Sequence, residues 1–226
     1  MNNLGMYDDL QRLATDVAQG RHREVIGGMW DAVGALQLDF MKGQGLAPQH
    51  RLLDVGCGSL RGGLHFVDWL EPGNYFGIDI SEALLQAGYD RELGPLGLQA
   101  KLPRENLRTT SDFDATPFGV TFDMATAQSV FTHLALNSIA ACLEQTARVM
   151  KPGGVFYATF FLAPDDARWS DAVTHQPGGV MTTGVSDPYH YRIADMAWAA
   201  GRAWQTEHIG EWSHPRGQQM IAYHRL

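Results

Sequence analysis

The order of patterns along this chain predicts an α/β fold built on a mostly parallel sheet. Three observations carry the expectation. From residue 51 onward, short apolar runs alternate with segments of helical period, the arrangement of successive βαβ units. The first run, Leu52-Leu53-Asp54-Val55, passes through the turn Gly56-Cys57-Gly58 into a helical segment. The chain has 226 residues and is 45% hydrophobic, which suits one domain with a substantial core.

Two helices are expected ahead of this alternation, forming a helical cap over residues 1–45 in front of a domain at 46–226. Leu10, Leu13, Ala14 and Val17 recur at helical spacing, and Gly20 is placed to terminate them. Met29, Val33, Leu36 and Phe40 repeat the pattern up to Gly43-Gln44-Gly45. Gly27-Gly28 weaken helix propensity, so the second helix is expected to start at Met29.

Strands are expected at 51–55, 75–79, 107–110, 121–127 and 154–161, with helices at 61–70, 82–92 and 137–150. In the last helix Leu136, Ile139, Ala140, Leu143, Ala147 and Met150 form one apolar stripe, stopped by Lys151-Pro152-Gly153-Gly154. The alternation breaks after residue 161. Residues 162–187 are rich in Pro, Gly, Asp and Thr and have no period, which predicts a long loop, functional or disordered. Asp187-Pro188 has the form of an N-cap followed by Pro at the first helical position. Two closing strands, 203–209 and 218–224, are joined by Gly210 to Gly217.

Composition excludes several classes of function. A net charge of −8 with 17 dispersed basic residues argues against a nucleic-acid partner, and Arg21-His22-Arg23 is too short a cluster to change that. No apolar run reaches the length of a membrane span, and no signal-peptide pattern opens the sequence. Cys57 and Cys142 do not make a disulfide framework, so a reducing cytoplasm is the expected location.

The glycine turn is the most informative motif. Strand, glycine turn and helix form the geometry that brings backbone close to a nucleotide-like ligand. The dinucleotide spacing G-x-G-x-x-G is met only in part: Gly56 and Gly58 fit, but Arg61 stands at the third glycine. Asp54 would repel a pyrophosphate, whereas it can serve the amino group of S-adenosylmethionine, which carries no phosphate. Asp79 ends the second strand 25 residues after Asp54, where its two oxygens can accept both hydroxyls of a ribose. Its rival role is an N-cap, for which Ser81, followed by Glu82, is better placed.

The D-x-G-x-G pattern at Asp54, Gly56 and Gly58 resembles motif I of the class I S-adenosylmethionine-dependent methyltransferases of small-molecule type. Further matches follow in the same order over roughly residues 50–160. Ser111-Asp112-Phe113 resembles the segment whose acid meets the adenine amino group while its neighbour packs on the ring. Ala127-Gln128-Ser129-Val130-Phe131-Thr132-His133-Leu134 is similar to the end of the fourth strand in many of these enzymes. Arg148 to Gly154 resembles the junction ahead of the fifth.

The resemblance implies a Rossmann-like, mostly parallel, seven-stranded sheet flanked by helices. It implies S-adenosylmethionine as cofactor and a cofactor site comprising Asp54, Gly56, Cys57, Gly58, Ser59, Arg61, Asp79, Ile80, Ser81, Asp112, Phe113 and Gln128. The chain departs from the commoner D-x-G-x-G-x-G by delaying its next glycines to Gly62-Gly63. Arg61 could pair with the methionine carboxylate, although an Arg on a first helical turn is more often solvated. Cys57 is expected as a small packing residue whose backbone N–H serves the turn.

Methyl transfer from a sulfonium is an in-line displacement, so such a site gains most by aligning the acceptor and excluding water. A general base is needed only for a protonated acceptor. His133, following the fourth strand, is the candidate base; its rival role is a histidine bonded to backbone at a helix start. Tyr189, His190 and Trp30 are candidates for the acceptor pocket, with core packing as the alternative for Trp30 and Tyr189. His175 and Trp169 lie in the 162–190 segment expected to carry the acceptor. The histidines lack ligand spacing, so no metal is expected. Two other readings stay open: a cofactor-binding domain without catalysis, acting as a regulator or partner subunit, and a nicotinamide oxidoreductase, which Asp54 and Arg61 disfavour. The amphipathic N-terminal helices could contribute to a homodimer.

Overall fold

The computed structural model describes residues 9–226, and residues 1–8 of the expected N-terminal cap lie outside the described residues. The chain forms two compact units, the first ending at Ser111 and the second running from Asp112 to Leu226.

The first unit begins with α1 (Leu10–Ala18) and α2 (Trp30–Gly43). Asp9 caps α1 by accepting the Arg12 N–H at 2.9 Å. Leu13 and Val17 are the buried side chains of α1, and they join Val25, Leu84 and Ala87 in one apolar cluster. Met29 sits in a left-handed conformation just ahead of α2, so the helix starts one residue later than its apolar period predicts.

Three strands follow, β1 (Leu52–Val55), β2 (Tyr75–Asp79) and β3 (Leu107–Thr109), parallel and in the order β3-β2-β1. Leu53 lies opposite Phe76, Asp54 opposite Gly77, and Asp79 opposite Thr109. β1 and β2 are buried along their whole length, as parallel strands covered on both faces must be. The crossover helices are α3 (Gly63–Trp69) and α4 (Glu82–Ala87). The helix expected at 82–92 does continue past α4, but as a wider π-turn over Gly88–Leu93. α2 and α3 approach closely at Gly34, where an added Cβ would stand 2.6 Å from the Arg61 carbonyl oxygen.

The second unit holds β4 (Phe122–Ala127), α5 (Leu136–Ala147) and β5 (Met150–Leu162). β4 and β5 are parallel, and their register shifts between Phe122, opposite Met150, and Met124, opposite Val155. The Lys151–Gly154 turn signal is therefore absorbed as a bulge inside β5, so the strand begins at Met150 rather than at 154. Lys151 Nζ bonds Asp123 at 2.6 Å across it. β9 (Trp204–Gly210) and β10 (Gln219–Arg225) close the unit as antiparallel strands in the order β5-β10-β9. Strands β1 to β5 with β9 and β10 give the mostly parallel, seven-stranded, Rossmann-like α/β class that the sequence predicts.

Residues 162–191 are more ordered than their composition predicts. They form a hairpin of β6 (Val173–His175) and β7 (Val180–Thr182), then β8 (His190–Tyr191), which adds beside Phe161 and Leu162 of β5. The expected helix start at Asp187-Pro188 is not there: Pro188 leads into β8. The helix that follows, α6 (Ile193–Ala200), is capped instead by Asp195, whose carboxylate accepts the Arg192 N–H at 3.0 Å.

Candidate functional site

In the first unit, the turn between β1 and α3 carries the glycine motif. Gly56 and Gly58 have φ of 71° and 55°, values that a side chain would strain. Those angles let three consecutive N–H groups turn inward. Gly56 and Cys57 donate to the Ile78 carbonyl at 2.8 and 3.1 Å, and Gly58 donates to Asp79 Oδ2 at 2.8 Å. The other Asp79 oxygen accepts the Ser81 N–H at 2.9 Å, while Ser81 itself caps α4 by accepting from Leu84. The N–H of Cys57 therefore pins the turn to β2 and is not directed at a ligand; its thiol is buried, with the pKa pushed well up by burial.

Asp54 is buried one strand away and accepts the Tyr75 hydroxyl at 2.7 Å. Burial pushes its pKa up to about 7; the Tyr75 bond works against that rise, and the nearby Asp79 charge adds to it. Burial raises Asp79 too, against the backbone N–H groups of Ser81, Gly58 and Ile80. The turn thus spends these donors internally, beside two buried carboxyl groups.

Arg61 is neither solvated nor turned outward. It is buried, and its Nη1 donates to the carbonyls of Gly28 (2.9 Å) and Ile26 (3.2 Å). Ser59 Oγ donates to the His22 carbonyl at 3.0 Å, and Ile26 lies 3.1 Å from where a Cβ on Gly58 would be. The His22–Gly28 segment is consequently strapped over the glycine turn. Its anchor is Glu92, only 5% exposed, which accepts from His22 Nε2 (2.6 Å) and from Arg23 Nε and Nη2 (2.8 and 2.6 Å). Burial works to raise the Glu92 pKa, but these donors outweigh it and hold the carboxylate below its ordinary range. Sequence reasoning passed over Glu92, because nothing local marks a partner 69 residues away. Trp30 belongs to the same cluster: its ring is buried, with the Arg23 guanidinium 4.6 Å from its centroid, the packed position that was the alternative to an acceptor contact. Ile80, by contrast, is exposed just beyond β2.

The second unit carries the remaining candidates. Asp112 is exposed in a turn where it accepts the Asp114 N–H, and Phe113 beside it is half-buried with φ of 62°. Gln128 follows β4 directly and donates to Thr126 Oγ1 at 3.0 Å. Ser129 is fixed next to it, its N–H donated to Thr159 and its hydroxyl to the buried Gln218. His133 sits in the turn that follows, half-buried, and its Nδ1 donates to Asp187 Oδ1 at 2.5 Å. Asp187, read as a helix cap, is thus a histidine partner.

Tyr189 is half-buried and stacks on Tyr191 with ring centroids 6.1 Å apart. His190 is buried and shares the Thr182 hydroxyl with His175, each at 2.8 Å. Burial lowers the pKa of both rings, that of His175 to about 4, so the His175 ring is neutral over the physiological range. Trp169 is exposed. Among the described residues no group of three or more His, Cys, Asp or Glu could hold a metal ion, and no helix is long and apolar enough to cross a membrane.

Comparison with known proteins adds to this geometry. Residues 53–156 match a family model described as a methyltransferase domain. A ubiquinone biosynthesis O-methyltransferase from Hahella chejuensis (strain KCTC 2396) is 32% identical over 143 residues, covering 58% of this chain and 55% of the relative. The match thus spans little more than half the length of that relative. Among solved structures, magnesium protoporphyrin IX methyltransferase from Synechocystis PCC 6803, with bound S-adenosylmethionine, aligns with TM-score 0.66 at 16% identity over 100% of both chains. A sugar N-methyltransferase from Streptoalloteichus sp ATCC 53650 aligns with TM-score 0.58 at 19% identity over 87% of both. At such identities the structural likeness establishes the fold.

Proposed function

We infer that this chain is a class I S-adenosylmethionine-dependent methyltransferase and transfers a methyl group to a small-molecule acceptor by in-line displacement, a reading that its methyltransferase-domain match and its O-methyltransferase relative support. One observation carries the reading: the glycine turn consumes the N–H groups of Gly56, Cys57 and Gly58 internally and leaves the carboxylates of Asp54 and Asp79 as its polar features. A phosphate ligand needs the opposite arrangement, with N–H groups turned toward it. A cationic ligand bearing a ribose diol fits. Asp79 Oδ2 accepts the Gly58 N–H and Oδ1 the Ser81 N–H, and the carboxylate keeps acceptor capacity for a hydroxyl.

S-adenosylmethionine, when bound, supplies an activated methyl group on a sulfonium. This chain's residues do the rest. Asp79, with Ile80 and Ser81 beside it, receives the ribose, and Asp54 faces the ammonium of the methionine end. Gly56, Cys57, Gly58 and Ser59 shape the close approach of the backbone. Arg61 acts at one remove, holding the 26–28 segment over the turn by its carbonyls. Asp112 and Phe113 are the residues proposed for the adenine, Gln128 for the cofactor and His133 for the acceptor's proton. The 162–190 segment, with Tyr189, supplies the acceptor wall. The matched relative's name favours oxygen as the atom methylated.

The test is transfer of a labelled methyl group from S-adenosylmethionine into small-molecule extract, with mass identification of the product. Labelled product supports an enzyme. Cofactor binding with no labelled product under any extract would leave the regulatory reading in its place.

A further inference from the structure

Ser129, the second residue after β4, has a φ of 60°. A serine at that angle sits in the left-handed well, which the crowding of its Cβ against the backbone disfavours. Such a conformation persists only where its surroundings over-determine it. Here they do. The Ser129 N–H donates to Thr159 Oγ1 at 2.7 Å, and the Ser129 hydroxyl donates to Gln218 Oε1 at 3.0 Å. Thr159 Oγ1 donates in turn to the same Gln218 oxygen at 2.8 Å. The three residues close a ring of hydrogen bonds around one backbone position. Thr159 is buried, so once its oxygen has accepted the Ser129 N–H, its own proton needs an acceptor inside the protein. The Gln218 amide oxygen is that acceptor.

Gln218 is presented from a closed loop just ahead of β10. Its carbonyl accepts the Trp212 Nε1–H at 3.0 Å, and the Gly217 N–H donates to the His214 carbonyl at 3.0 Å. A Cβ on Gly217 would stand 2.1 Å from the Gln176 carbonyl oxygen, so this loop presses on the turn between β6 and β7. Beyond Ser129, Thr132 Oγ1 donates to the Ser129 carbonyl at 3.0 Å, and the Tyr189 N–H donates to the Thr132 carbonyl at 2.7 Å. Before it stands Gln128, tied to Thr126. One backbone angle thus separates the residue proposed for the cofactor from the turn on which Tyr189 is docked.

We propose that Gln218 is a positioning residue for methyl transfer: it holds Ser129 in the left-handed conformation, and that conformation sets Gln128 and Tyr189 in their working places. Gln218 acts through Ser129 and Thr159, the two hydroxyls it accepts. The magnitude follows from the backbone preference. An unclamped serine would occupy the left-handed well in roughly one molecule in ten. The rate scales with the fraction of chains in the competent conformation, so losing the clamp should slow transfer by about 10-fold. Glycine enters positive φ about as readily as negative φ, so a glycine at 129 should need no clamp.

The proposal rests on the methyl-transfer reading, and its test separates the two. Label transfer from saturating S-adenosylmethionine into a fixed amount of small-molecule extract is compared in the natural chain and its variants. Gln218→Met keeps the side-chain volume and removes the acceptor; it is expected to lower the rate by about 10-fold. Adding Ser129→Gly to it is expected to bring the rate back to within about 2-fold of the natural chain, a recovery that a general loss of packing would not allow. Ser129→Ala and Ser129→Gly both lack the hydroxyl, and the alanine variant is expected to be the slower. In proton spectra, residue 129 should show the strong intraresidue amide-to-Hα Overhauser effect of a positive φ in the natural chain and lose it in Gln218→Met. A full rate in Gln218→Met, no recovery with glycine, or an unchanged Overhauser signal would overturn the proposal. Should Gln218→Met not fold, equal rates in Ser129→Ala and Ser129→Gly would overturn it instead. Should the natural chain transfer no label, the methyl-transfer reading fails and the positioning role falls with it, while the Overhauser signal still decides whether Gln218 holds Ser129.

Discussion

Asp54→Asn isolates the electrostatics of the glycine turn. The Asp54 carboxyl is buried against Tyr75 and near Asp79, with its pKa pushed up to about 7 from 3.8. At about 1.4 kcal/mol per pH unit, the difference corresponds to roughly 4 kcal/mol of preference for the protonated form in the folded chain. The sign follows from proton counting. Between 3.8 and about 7 the folded chain holds a proton that the unfolded chain has released, so this group's contribution to stability falls as pH rises through that window and is level above it. Asparagine keeps an oxygen to accept the Tyr75 hydroxyl and cannot ionise. Urea unfolding of both chains from about pH 4 to about pH 8 should show the variant gaining on the natural chain by a few kcal/mol, with most of the change below about pH 7. A difference that stays constant across that range would refute the reasoning. Binding should show the mirror image. If Asp54 faces an ammonium, affinity for S-adenosylhomocysteine should rise with pH up to about 7 in the natural chain and stay flat in the variant.

Three further outcomes are expected. Gly34→Val would push a side chain into the Arg61 carbonyl and the His65 ring and should cost about 2 kcal/mol or more in denaturant unfolding; a loss below about half a kcal/mol would mean that the α2–α3 approach is not tight. Glu92→Ala leaves His22 and Arg23 without their shared carboxylate and should destabilise by about 3 kcal/mol, tempered by the half-exposed Arg23; an unchanged unfolding midpoint would remove Glu92 as the anchor of the strap. Chelation should leave methyl transfer at full rate, and loss restored by Mg²⁺ would bring in a metal.

What could be read from the sequence was whatever depends on neighbours along the chain. β1 and β2 stand out because both are apolar runs bounded by glycine or turn residues, and Asp79 follows from its place at the end of β2. Ser81 was recognisable as a cap from the Glu82-Ala83-Leu84 sequence after it, and the bond to Leu84 is there. Features set by distant partners were not legible. Arg61 resembles a solvated helix-start arginine until the carbonyls of Ile26 and Gly28, 35 and 33 residues away, arrive above it. The β6–β7 hairpin has strands of three residues, too short to show a period, and is steadied by a hydroxyl shared between His175 and His190. Asp187-Pro188 has the local form of a helix start, but its aspartate is claimed by His133, 54 residues away.

The account's central claim is that the carboxylates of the glycine turn select a sulfonium cofactor's nucleoside and amino groups over a dinucleotide. Calorimetric titration of the chain with S-adenosylhomocysteine and, separately, with NAD tests it most directly, with Asp79→Ala as the control. The account predicts saturable binding of S-adenosylhomocysteine, none of NAD, and an affinity lower by roughly 2 kcal/mol or more in Asp79→Ala, where two charge-assisted bonds are lost. Binding of NAD in place of S-adenosylhomocysteine, or equal affinity in the natural chain and Asp79→Ala, would contradict it.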